Sequence, residues 1–184
     1  MKRLFYLFVL SFLINCLFVP LYAQESDVTT VFLVRHAEKE NDGSIDPVLT
    51  PTGRARALEL AYVLKDVKLN AVYDTPYKRT QQTAKPTADN HRLKAETISS
   101  LKTDDLKTFV NNVVKNHKGG SILIVSHSNI VPVIIKLIRR DEFNAGEVEY
   151  INDSVYDDLF VVSFTKREAA RVLNLKYGKH TPIK

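Results

Sequence analysis

Residues 30–38 read TVFLVRHAE and residues 121–129 read SILIVSHSN. In each, a short apolar, β-branched run ends abruptly on a histidine. Such runs suit strands buried on both faces. A strand buried on both faces needs helices to cover it, and the intervening sequence supplies them. Thr50-Pro51 offers an N-cap and a first-turn proline, and Ala57, Leu60, Ala61 and Leu64 follow at helical spacing, predicting a helix to about Asp66. Ala71–Tyr73 reads as a second strand, and a helix runs from Pro76 to about Asp89, with Pro86 marking a kink or an end. Leu93–Ile98 is a third strand candidate with Lys94 exposed. Thr103, Asp104 and Asp105 offer N-caps for a helix carrying Leu106, Phe109, Val113 and Val114. Gly119-Gly120 precedes the SILIVS strand. Asn129 to Arg140 then reads as a buried helix with Pro132 in its first turn, followed by strands at Leu159–Phe164 and Arg171–Leu175. Strand and helix alternate, so the expected architecture is a three-layer α/β sandwich with a mostly parallel central sheet.

The N-terminus stands apart from this pattern. Residues 1–23 join Lys2 and Arg3 to an apolar run from Leu4 to Val19 and a small exit residue, Ala23. Basic head, short apolar body and small exit describe a signal peptide, and the run is broken by Ser11, Asn15 and Cys16, so we expect export to the periplasm or medium and not a lipid or membrane anchor. The expected organisation is 1–23 signal peptide and 24–184 a single domain without a membrane span. The chain has 26 Lys and Arg against 21 Asp and Glu; losing Lys2 and Arg3 leaves 24 against 21, a net +3. The one cysteine, Cys16, leaves too, which excludes thiol chemistry and Cys-ligated zinc from the exported domain. Scattered basic residues without aromatic interleaving argue against nucleic acid.

In open α/β sheets, ligands bind at the carboxyl ends of strands. Arg35 and His36 follow the first strand, Arg79 follows the second, and His127 follows SILIVS. Two guanidinium groups and two imidazoles converging there match a tetrahedral oxyanion such as phosphate. Asn129, at the expected start of a helix, would add free N–H groups to an anion site. His91, His117 and His180 read as structural or solvated.

Four ordered segments, VFLVRHAEKE (31–40), DPVLTPTGRARALELAYVL (46–64), VYDTPYKRTQQTA (72–84) and ILIVSHSN (122–129), resemble the histidine phosphatase superfamily with its phosphoglycerate mutase-like fold. The resemblance implies that His36 is the nucleophile taking the phosphoryl group, that Arg35, Arg79 and a protonated His127 hold its oxygens, and that no metal or other cofactor is required. Physically, an attacking imidazole must be neutral, with one ring nitrogen donating to a carbonyl while the other faces phosphorus. Glu38 reads either as a support of the site or as the acceptor of a salt bridge from Lys39 or Arg54. The resemblance also implies an acidic proton donor downstream of Arg79. Asp104 is the first choice, then Asp105, then Glu96, each with a bland alternative as a helix cap or exposed strand residue.

Two departures shape the expectation. Ala37 stands where the family has glycine, so its φ should be negative. Ser128 follows His127, so the His-Asp pair of the acid-phosphatase branch is absent, which points to the smaller, mutase-like branch. Little chain separates Arg79 from His127, so the site should be open to water and favour hydrolysis over phosphoryl transfer. The sequence thus predicts an exported phosphomonoesterase acting on a small-molecule or glycan phosphate ester. The competing readings are a catalytically idle phosphate- or phosphoglycan-binding module and a phosphoglycerate mutase-type phosphotransferase.

Overall fold

The computed structural model describes residues 28–140, 150–166 and 168–181; the expected signal segment lies outside them. Strands β1 (Thr29–Arg35), β2 (Leu69–Asp74), β3 (Glu96–Thr97), β4 (Ser121–Ser126), β5 (Asp158–Phe164) and β6 (Arg171–Lys176) form one sheet in the order β3-β2-β4-β1-β5-β6. The first four are mutually parallel, and β5 and β6 add antiparallel on the β1 side. The four described helices are α1 (Pro51–Val63), α2 (Lys78–Asn90), α3 (Thr103–Asn116) and α4 (Val131–Arg139).

Side chains alternate across a strand, and the central strands are apolar on both sides for that reason. Ile122 and Ile124 of β4 join Val31 and Leu33 of β1 in a core closed by Leu106, Val110 and Val113 of α3 and Val131, Ile134 and Ile138 of α4. Leu123 and Val125 join Val34 and Val72 on the other face, under Leu60 of α1 and Ala84 and Ala88 of α2. These are the three layers the alternation predicted.

Boundaries moved where tertiary contacts compete with local signals. Helix α2 starts at Lys78, later than Pro76, and continues through Pro86 to Asn90. Proline costs a helix interior about 3 kcal/mol, which burial of Thr83, Ala84, Thr87 and Ala88 offsets here. The third strand shrinks to Glu96–Thr97, an exposed edge paired only with Tyr73 and Asp74. Helix α3 is preceded by Lys102 with no side-chain cap, so Asp104 and Asp105 are first-turn residues and not caps; carboxylates there complement the helix dipole. Helix α4 begins at Val131, so Asn129 lies in the turn before it, exposed.

The start of α1 fixes the loop after β1. Thr50 caps the helix by accepting from the Gly53 N–H at 2.9 Å, while the Thr50 N–H donates to the Glu38 carbonyl at 2.9 Å. Gly53 is required because a Cβ there would overlap the Glu38 carbonyl oxygen. We predict that Gly53→Ala costs about 1–3 kcal/mol, as expected for an overpacked contact. Urea unfolding should show it; a variant as stable as the parent would contradict this packing.

Candidate active site

Strands β1 and β4 are adjacent and parallel, yet the helices that follow them lie on opposite faces of the sheet. That is a topological switch point, and a crevice opens beyond the strand ends. The register pairs Arg35 with Ser126, and the His36 N–H continues the ladder to the Ser126 carbonyl at 2.9 Å. His36 and His127 therefore leave the sheet side by side, with ring centroids 5.6 Å apart.

The next strand over contributes Thr75, whose hydroxyl shares a hydrogen bond with His127 Nε2 at 3.0 Å. Arg79 follows in the first turn of α2, its guanidinium stacked 4.4 Å from the Tyr77 ring centroid. Tyr77 also meets His127 edge to face at 5.2 Å. Arg35 is stacked 4.3 Å from the centre of Tyr156, which lies 6.2 Å from His36. The four expected side chains thus share one crevice, each arginine carried on a tyrosine face.

His36 Nδ1 lies 2.8 Å from the Ala37 carbonyl. A carbonyl only accepts, so Nδ1 carries the proton and Nε2 keeps its lone pair. Burial, helped by the charges of Arg35, His127 and Arg79, pushes the His36 pKa down to about 3 against the opposing Ala37 hydrogen bond. His127 is pushed down to about 4 by burial and by Arg79 and Arg35. Burial first, and the two guanidinium charges second, thus favour the neutral form of both imidazoles.

The Nε–H groups of both Arg35 and Arg79 are buried without a partner. Buried donors are almost always satisfied, and two unpaired cationic ones beside a bare imidazole nitrogen describe a place for an oxyanion. Ala37 takes an ordinary conformation, the positive-φ non-glycine residues among those described being Arg92 and Arg140. Its methyl packs with Leu49 and Ala57, and its N–H donates to Thr83 Oγ1 at 3.0 Å while that hydroxyl donates to the Arg79 carbonyl at 2.7 Å. Thr83 thereby ties the histidine loop to the arginine helix.

Glu38 pairs with neither Lys39 nor Arg54. Its carboxylate receives Nε and Nη2 of Arg56 at 2.8–3.0 Å, and Arg56 also donates to the carbonyls of Tyr177 and Lys179. Arg56 is 3% exposed, enclosed by these partners. Tyr77, Thr75, Thr83, Arg56 and Tyr156 all escaped the sequence reading. The first three lie inside or beside the TPYKRTQQT segment and were within reach; nothing local marks Tyr156, which arrives through β5.

Asp104 and Asp105 sit in the first turn of α3, which follows β3 in the chain. The Asp105 carboxylate accepts from Ser100 Oγ at 2.6 Å, whereas among the described residues the Asp104 carboxylate is uncommitted and exposed. Glu96 is exposed on β3. His91 lies between the carbonyls of Thr87 and Val67, His117 against the Tyr73 hydroxyl, and His180 on Asp157, all structural. No three His, Cys, Asp or Glu side chains cluster as a metal site, and no helix is long and apolar enough to cross a membrane, among the described residues. A separate cavity of about 510 Å³ lies at the opposite end of the sheet, between α3, α4 and the end of β5, and contains none of the crevice residues.

Residues 31–106 match the family model of the histidine phosphatase superfamily (branch 1). No curated protein matches the sequence. Among solved structures, the protein histidine phosphatase SixA complexed with tungstate is similar at 19% identity and a TM-score of 0.65, over 80% of this chain and 96% of that one. A mycobacterial glucosyl-3-phosphoglycerate phosphatase gives 13% and 0.64, over 82% and 98%. A phosphoglycerate mutase from Bacillus anthracis gives 14% and 0.57, over 82% and 94%. These likenesses establish the phosphoglycerate mutase-like α/β fold.

The depressed histidines predict a stability profile. Unfolded imidazoles bind protons near pH 6.5, whereas the folded ones resist until about pH 3 and 4. The stabilisation is complete above 6.5 and lost as pH falls toward those values, by up to about 1.4 kcal/mol per pH unit for each excluded proton. Urea unfolding between pH 7 and 4.5 should show that slope, and His36→Asn and His127→Asn should each flatten it. A slope unchanged in both variants would contradict the assignment.

Proposed function

We propose that the protein, whose residues 31–106 match the family model of the histidine phosphatase superfamily (branch 1), is an exported, metal-independent phosphomonoesterase working through a phosphohistidine on His36. One observation carries the reading: the hydrogen bond to the Ala37 carbonyl leaves His36 Nε2 bare, between two arginines with unpaired buried Nε–H groups.

The steps follow from those groups. The ester phosphate settles on Arg35, Arg79 and His127, whose donors spread its charge. The Nε2 lone pair attacks phosphorus in line, the P–O bond to the leaving group breaks, and the leaving oxygen takes a proton from the carboxylic acid form of Asp104, which becomes a carboxylate. Water then attacks the phosphohistidine and gives a proton to the Asp104 carboxylate, the N–P bond breaks, and inorganic phosphate leaves with Nε2 bare and Asp104 protonated again. Asn129, exposed in the turn after His127, reaches the phosphate from the rim, and Glu38 acts as a support by holding its loop to Arg56. The chain between Arg79 and His127 is taken up by α2, β3, α3 and β4, which supports an uncovered site and therefore water as the acceptor. A small-molecule or glycan phosphate ester suits such a site. Export rests on the composition of residues 1–23 and brings such esters within reach outside the cytosol.

The purified protein should release phosphate from an aryl phosphate with EDTA present, and His36→Ala should abolish release; a fully active variant would sink the proposal. We further predict that Asp104→Asn slows turnover by about 10²–10⁴-fold, the usual contribution of a proton donor. Wild-type rates in that variant would remove Asp104 from the role. N-terminal sequencing of protein from the extracytoplasmic fraction should begin near Gln24, and finding the protein only in the cytosol would overturn export.

A further inference from the structure

Two threonine hydroxyls stand behind His127, and their hydrogen count fixes the polarity of the contact with its ring. Thr75 follows β2, Thr80 lies in the first turn of α2, and both are fully buried. Thr80 Oγ1 lies 2.9 Å from the Thr75 carbonyl, 2.8 Å from the Tyr77 carbonyl and 2.7 Å from Thr75 Oγ1. Thr75 Oγ1 in turn lies 3.0 Å from His127 Nε2. A carbonyl can only accept, and a threonine hydroxyl has a single hydrogen. If Thr80 donated to Thr75 Oγ1, two carbonyl oxygens would face a hydroxyl oxygen with no hydrogen between them. The Thr80 hydrogen therefore goes to the carbonyl pair, and the Thr75 hydrogen fills the short contact between the two hydroxyls. Thr75 Oγ1 has only lone pairs left for the ring, which makes His127 Nε2 the donor.

We propose that Thr75, oriented by Thr80, is a positioning residue that holds His127 as its Nε2–H tautomer and keeps the ring fixed while its charge changes. The inference rests on the phosphate-site reading above. The tautomer is the opposite of that of His36, whose proton is on Nδ1 against the Ala37 carbonyl. Burial, with Arg79 and Arg35 adding to it, favours a neutral His127, so the ring carries one proton and the relay decides which nitrogen has it. With Nε2–H committed to Thr75, a hydrogen bond from His127 to a phosphate oxygen has to come from Nδ1 after it takes a proton. An accepting threonine is compatible with both states, because imidazole in this tautomer and imidazolium alike carry the Nε2–H. A donating threonine would lose its acceptor on protonation and release the ring. Arg35, His36, Arg79 and Tyr77 stand around His127, but among the described residues Thr75 is the hydrogen-bond partner of Nε2. Thr80 directly follows Arg79, so the same relay sets the arginine turn against the end of β4.

Long-range proton–nitrogen NMR of the ligand-free protein at neutral pH, assigned with His127→Asn, should show His127 protonated at Nε2 and His36 at Nδ1. In Thr80→Val the Thr75 hydrogen is released toward Nε2, and His127 should shift toward the Nδ1–H form. Thr75→Val keeps the shape and loses the hydroxyl; kcat/KM for an aryl phosphate should fall roughly five- to ten-fold, the net contribution of one hydrogen bond. Thr75→Ser should recover to within about two-fold of the wild type, with thermal unfolding confirming that the variants fold. His127 protonated at Nδ1 in the wild type overturns the proposal, as does a tautomer that Thr80→Val leaves unmoved. Wild-type kcat/KM in Thr75→Val overturns it too, and so does a Thr75→Ser as slow as Thr75→Val, since methyl packing would then be what matters. Should a buried valine prevent folding, the wild-type spectrum alone decides the tautomer. If the tautomers come out as expected and the wild type releases no phosphate, the relay stands and only the phosphatase reading fails. Phosphate release with His127 protonated at Nδ1 overturns the relay and leaves the phosphatase reading intact.

Discussion

The parallel register of β1 against β4 is the constraint from which the site follows. Pairing Arg35 with Ser126 means that both strands stop at the same level, so the residues one step beyond, His36 and His127, emerge together. A slip of one residue would turn every side chain of one strand to the other face. The slip would expose Val31, Leu33, Ile122 or Ile124 to the wrong layer and would separate the histidines at the same time. The apolar alternation that builds the two cores is therefore also what aligns the chemistry. It needs no contact between the histidines themselves.

Placing four nitrogen-rich groups in one crevice has an electrostatic cost, and the structure distributes it unevenly. The arginines stay charged because nothing within reach deprotonates them; burial lowers the Arg35 pKa, while Tyr156 and Asp153 counter it. The imidazoles are the groups that yield, and both become neutral. That division of labour suits an anion site with a nitrogen nucleophile. Permanent charge sits on the guanidinium groups, and the group with a lone pair to use is kept unprotonated by burial and, second to it, by its charged neighbours. An arriving dianion would offset the arginines and make protonation of His127 easier.

Much of this was legible in the sequence because it is encoded locally. The TVFLV and SILIV runs, the Thr50-Pro51 cap and the ordered placement of Arg35, His36, Arg79 and His127 are short-range signals. What escaped depends on contacts distant along the chain. Glu38 finds Arg56 instead of Lys39 or Arg54 because α1 turns its Arg56 side inward, and a helical arginine flanked by alanines gives no sign of which face it takes. Pro86 did not end its helix, since packing outweighed propensity. Asp104 and Asp105 looked like caps because residue type alone cannot distinguish the cap position from the first turn. Tyr156 lies 120 residues from His36 in sequence, and only the sheet order β4-β1-β5 brings it beside the arginine.

The antiparallel hairpin β5-β6 shows how little of that distant support is hydrophobic. Every residue of β6 is exposed, including Val172, Leu173 and Leu175 at 39, 56 and 42%, so this edge strand gains little from burial. Its far end is held by polar contacts instead. Asp157 is fully buried, and although burial favours its neutral form, hydrogen bonds from the Thr181 hydroxyl and N–H, Lys176 and His180 hold its carboxyl well below the usual range. Arg56 fastens the same stretch through the carbonyls of Tyr177 and Lys179 while gripping Glu38 two residues beyond His36. A charge network of this kind is costly to break from one side, because the remaining partner is left buried and unpaired. Since Asp157 adjoins Tyr156 and Arg56 adjoins the histidine loop, loosening the C-terminal stretch would disturb both supports of the crevice together. The hairpin is thus a brace for the site, and its exposed apolar residues matter less than the two charges buried at its end.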